Sequence, residues 1–140
     1  MSVGISIQFL AGRYHATPWN NQVNEGVVEF PPSPWRIMRA LVSSYYRLSQ
    51  APTKSELCSL LESLAECLPC YVAPEYTEAH TRYYMPVIKE GKATTTKVID
   101  AFYALKGGAL SSDGMLQVVW LSVTLNDSQQ SLLNKLCSQV

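Results

Sequence analysis

The chain has 140 residues, 47% of them hydrophobic and 16% charged, where a typical soluble domain has about a quarter charged. That length suits one domain with a real core, spanning 1–140, and is too short for two. The formal net charge of zero excludes the general basic excess of a free-standing nucleic-acid domain, so any RNA contact must rest on a local cluster of Arg and Lys.

The low charged fraction also suits a surface covered by other chains. No apolar run reaches the roughly 18 residues of a membrane helix, and the start MSVGISIQFL lacks a positively charged leader region. The expectation is a cytoplasmic protein with no membrane contact and with reduced thiols at Cys58, Cys67, Cys70 and Cys137. Cys67 and Cys70 form half of a zinc motif without a matching second pair, so they read as small buried hydrophobes. No metal, cofactor or small-molecule substrate is expected.

Residues 3–10 alternate, with Val3, Ile5, Ile7 and Phe9 on one side, and predict a half-buried strand that Gly12 ends. Residues 13–32 read as irregular, with a short extended piece at 27–30. Ser33 before Pro34 predicts a capped helix start. Ile37, Met38, Leu41, Val42, Tyr45 and Leu48 would form its apolar face, with the end near Gln50. Thr53 and Glu56 make a capping box for a second helix. Leu57, Leu60, Leu61, Leu64 and Leu68 are its buried stripe, and Pro69 is its stop.

Residues 71–92, with Pro74, Pro86 and Gly91, read mostly as loop, which makes His80 an ordinary loop residue. Residues 98–105 and 116–125 read as strands joined through Gly107, Gly108 and Gly114. Asn126 or Asp127 caps a last helix carrying Leu132, Leu133, Leu136 and Val140. The order is that of an α+β, ferredoxin-like or RRM-like βαββαβ unit up to its second helix. It stops before the closing strand, so a truncated or split product is expected.

Two stretches carry chemistry. Arg13, Tyr14, His15, Trp19 and Asn20 follow the first strand, and Arg36 and Arg39 open the helix after it. Arg82, Tyr83 and Tyr84 form the second cluster, followed by Lys89, Lys92 and Lys97 around a run of threonines. Single-stranded RNA is held by bases stacked on aromatic rings and by cations on phosphate, and both stretches supply these groups. They are expected to meet on one sheet surface. Arg13 and Arg82 are the favoured phosphate contacts, because each adjoins aromatics; the default for Arg36 and Arg39 is a solvated helix face. Trp120 reads as core, Trp35 as structural, and Trp19 is open between stacking and packing. Tyr45 and Tyr46 read as interface or core.

The words GRYHATPW, VNEG, FPPSPWRIMRALV, TRYYMPV, TTTKVIDAFYAL and VVWLSVTL occur in that order from Gly12 to Leu125. Together they resemble the fused CRISPR-associated subunit of type I-G systems, formerly I-U. In that family a half that binds the 5′ handle of the CRISPR RNA precedes a repeat-cleaving half. The resemblance implies a non-catalytic subunit piece that grips CRISPR RNA and contacts other effector-complex subunits. Family members are several times longer, and their processing half has no counterpart in these words. No residue is therefore assigned a catalytic role. The alternatives are a metal-independent endoribonuclease using His15, whose imidazole suits acid or base work, and a pure assembly scaffold.

Overall fold

The computed structural model describes residues 2–106 and 114–139. They form an α+β structure of three α-helices and two three-stranded antiparallel sheets, arranged as two compact units. The predicted glycine connection at 107 and 108 lies outside the described residues.

The first unit holds β1 (Val3–Ile7), α1 (Pro34–Tyr45), α2 (Lys54–Ala65), β3 (Cys70–Val72), β6 (Leu116–Trp120) and α3 (Asp127–Cys137). Its sheet runs β1-β6-β3. Val3 pairs with Trp120, Ile5 with Val118 and Ile7 with Leu116. Cross-strand partners share a face, so both alternating strands turn their apolar residues the same way. Leu116, Val118 and Trp120 are wholly buried there. The β6 strand is shorter than the predicted 116–125: it ends at Trp120, and the chain turns before Asn126 caps α3. Val123 is nonetheless buried in the core.

The helices follow local signals. Ser33 accepts a hydrogen bond from the Arg36 N–H, and α1 buries Ile37, Leu41, Ser44 and Tyr45. It ends at Tyr45, short of Gln50, where the Tyr45 hydroxyl donates to the Pro52 carbonyl. The predicted capping box opens α2, and its hydrogen bonds from Thr53 hold the Glu56 carboxyl below the ordinary carboxylate range. Leu57, Leu60 and Leu64 are buried as expected, but α2 stops at Ala65, so Leu68 falls beyond the stripe and is exposed. A second box, Asn126 with Gln129, opens α3. The Gln129 amide nitrogen also donates to Ser59 and Ser63, tying α3 to α2.

The second unit holds β2 (Arg13–Tyr14), a short 3-10 helix (Val23–Glu25), β4 (Tyr76–Lys89) and β5 (Lys92–Leu105). Its sheet runs β2-β5-β4. The stretch read as loop is a long hairpin, paired without a break from Tyr76 with Leu105 to Lys89 with Lys92. Pro86 does not break it because β4 is an edge strand, where a residue without an N–H is tolerated. The two turn residues, Glu90 and Gly91, have φ of 50° and 76°, the left-handed pair that a tight two-residue hairpin turn requires. The base of the unit is a ring cluster. Phe30 lies 5.6 Å from Tyr14, 4.9 Å from Tyr76 and 5.4 Å from Tyr103, between ring centroids.

Candidate nucleic-acid interface

Side chains alternate between faces along a strand, and paired residues share a face. The register therefore sorts the hairpin residues into two sets. One face carries Tyr76, Glu78, His80, Arg82, Tyr84, Pro86 and Ile88 on β4, opposite Leu105, Tyr103, Ala101, Ile99, Lys97, Thr95 and Ala93 on β5. The other carries Thr81, Tyr83, Met85, Val87 and Lys89, opposite Asp100, Val98, Thr96, Thr94 and Lys92.

Tyr14 pairs with Tyr103 and belongs to the first face, where its ring is half-buried in the aromatic cluster. Arg13 pairs with Ala104 and belongs to the second, where its guanidinium lies over the Phe102 ring at 5.4 Å from the centroid. The two sequence stretches share a sheet through β2, but they do not meet on one surface of it as expected: Arg13 and Arg82 occupy opposite faces. One residue of offset in a strand is enough to produce that.

His15 continues beyond β2. Its Nδ1 donates to the Ala101 carbonyl and stands 3.4 Å from an Asp100 carboxylate oxygen. A carbonyl only accepts, so this bond places the proton of the neutral ring on Nδ1 and leaves Nε2 as the acceptor. Trp19 projects with 83% of its surface exposed, beside Asn20 at φ 66°, a left-handed conformation that asparagine tolerates better than most residues.

Arg36 and Arg39 belong to the other unit, on the exposed side of α1. Trp35, expected to be structural, is 67% exposed. With Met38, Arg39, Val42, Leu61 and Ala65 it lines a shallow groove of about 730 Å³ between α1 and α2. Tyr45 is core, while Tyr46 is exposed. Among the described residues, no three His, Cys, Asp or Glu side chains are placed to hold a metal ion. The four cysteines are free thiols, and burial raises the Cys137 thiol above its ordinary value. No helix among the described residues is long and apolar enough to cross a membrane.

The outer part of the hairpin has the most open chemistry. From Thr81 to Lys97 nearly every residue is exposed on both faces, including Tyr83, Tyr84, Met85 and Ile88. This stretch contains Arg82, Lys89, Lys92 and Lys97 against one acid, Glu90, so it carries 4 − 1 = +3 in a chain whose total is zero. Among the described residues none of these four cations has a carboxylate partner. They are available to phosphate at little cost in broken ion pairs.

The sequence alone pointed to these cations, both tyrosines and the threonine run, but not to Ile88, Asp100 or Phe102. The β-branched and aromatic residues running from Thr94 through Tyr103 were the signal that would have extended the predicted strand at 98–105 back toward the turn. Comparison with protein-family models, with curated proteins and with solved structures finds no match for this chain.

Proposed function

We propose that the chain is an RNA-binding part of a type I CRISPR surveillance complex, gripping the 5′ handle of the CRISPR RNA and touching neighbouring subunits. The observation that carries this reading is the exposed hairpin, where unpaired cations flank solvent-facing rings in an otherwise neutral chain. The motif words that resemble the type I-G subunit fall across both units. The strand order β1-β6-β3 supports a ferredoxin-like, RRM-like reading of the first unit. Its β1, helices, β3, β6 and α3 follow the βαββα order, with the β4–β5 hairpin inserted between β3 and β6.

Fluorescence anisotropy with a labelled single-stranded CRISPR repeat RNA, over a salt series, tests the proposal. Binding is expected to weaken steeply with salt. Each phosphate contact on a single strand contributes about 0.7 to the slope of log affinity against log salt. Arg82→Ala with Lys97→Ala should therefore flatten the slope by about 1.4. Binding that ignores salt, or an unchanged slope in the double variant, overturns the RNA reading of this hairpin.

The anchoring of His15 favours a second reading, a metal-independent endoribonuclease. A ring fixed through Nδ1 presents Nε2 as a general base for a ribose 2′-hydroxyl, with Asp100 near enough to stabilise the imidazolium that forms. That activity would appear as cleavage of labelled repeat RNA in EDTA by the parent and its loss in His15→Ala. An intact RNA after prolonged incubation with the parent removes it.

A further inference from the structure

We propose that the hairpin face bearing Arg82, Tyr84 and Lys97 takes an unpaired ribonucleotide strand without selecting bases, while the face bearing Tyr83 and Met85 leaves it untouched. The inference rests on the RNA-binding reading above and assigns the surface and its selectivity. Tyr84 pairs directly with Lys97, and Arg82 is the next residue on the same face of β4. Direct partners lie about 5 Å apart and residues two apart on one strand about 6.6 Å, both within the length of a Lys or Arg side chain from the Tyr84 ring. That ring is 68% exposed, and Ile88 at 79% extends the platform toward the turn. A base stacked on Tyr84 would have its flanking phosphates between two cations that no carboxylate claims among the described residues.

The other face differs in kind. Tyr83, Met85 and Val87 are opposed by Val98, Thr96 and Thr94, and the Thr94 hydroxyl already donates to the Val87 carbonyl. Its cations stand apart, Lys89 and Lys92 at the tip and Arg13 over Phe102 at the base, and Asp100 lies between them where it repels phosphate. Selectivity follows from what the first face lacks. From Arg82 to the turn and back to Lys97 it carries no Asn, Gln, Asp or Glu. Apart from the two cations, its polar side chains are the Tyr84 and Thr95 hydroxyls. Stacking accepts every base because every base has a π-face, and phosphate contacts carry no sequence information. A duplex offers the ring no free base face, so it binds more weakly.

The test uses the full chain with labelled A12, C12 and U12 RNA and an A12·U12 duplex, read by anisotropy. The three single strands are expected to bind within tenfold of one another and more tightly than the duplex. Tyr84→Ala should weaken single-strand binding about tenfold, the size of one lost base–ring stack. Tyr84→Phe should restore it, and Tyr83→Ala should stay within about twofold of the parent. A spread above tenfold among the homopolymers, equal duplex binding, or a loss in Tyr83→Ala matching that in Tyr84→Ala overturns this assignment while RNA binding itself stands. No binding of any single strand takes down both. Tyr84 is mostly exposed, so circular dichroism of its variants should match the parent.

Discussion

Trp120→Ala should lower the stability of the first unit by about 4 kcal/mol, the upper range for removing a large aromatic from a core. Trp120 is wholly buried on the middle strand of β1-β6-β3, so no edge of the sheet can relax into the space it leaves. Set against a total of about 5–15 kcal/mol for a domain, the loss should appear as a fall in melting temperature on the order of 10 °C or more. It should also appear as faster amide exchange in β1, β3 and β6. Trp120→Phe should be much milder. The indole Nε1 is buried with no hydrogen-bond partner among the described residues, so phenylalanine removes an unsatisfied donor along with part of the ring area. Trp19→Ala and Trp35→Ala, at exposed rings, should each shift the melt by little. A Trp120→Ala melt within a few degrees of the parent would refute the placement of that indole in the core.

Phe30→Ala should cost about 3 kcal/mol, from lost burial and three lost ring contacts at roughly 0.5–1.5 kcal/mol each. The effect should be local to the second unit. β2 is held to β5 by only two residue pairs, Arg13 with Ala104 and Tyr14 with Tyr103. So short a pairing depends on the ring cluster beneath it, and Phe30 is the ring that joins Tyr14 to Tyr76 and Tyr103. The Leu105 N–H, which donates to the Gly12 carbonyl, should lose exchange protection early. Phe30→Leu should recover part of the loss by refilling volume without the ring geometry. If Leu105 stays as protected in Phe30→Ala as in the parent, β2 docks by some means other than this cluster.

Recognition on this ribbon depends on which face each side chain takes. Arg13, Tyr14, Arg82, Tyr83 and Tyr84 were all visible as cations and rings next to one another. Their neighbourhood in sequence says nothing of direction, because consecutive strand residues point to opposite sides. Tyr83 and Tyr84 look equivalent in the chain, yet the register sets one opposite Val98 and the other opposite Lys97. The hairpin itself was hidden by Pro86 and by a Glu-Gly turn, a weaker turn signal than Asn-Gly or Asp-Gly.

The amino-acid order alone determined where the three helices start, with Ser33 and Thr53 as caps and Asn126 or Asp127 as the third, and the centre of each buried stripe: Ile37, Leu41 and Tyr45, then Leu57, Leu60 and Leu64, then Leu132, Leu133 and Leu136. Capping bonds and 3.6-residue periodicity span only a few residues, so they can be read before anything else is known. Only the tertiary structure decided that 76–105 is one continuous ribbon, that Arg13 and Arg82 turn away from each other, and that Val3 meets Trp120. Strand pairing is a contract between segments far apart in the chain. Its register is set by which faces can be buried together, and that information exists only once both segments are in place.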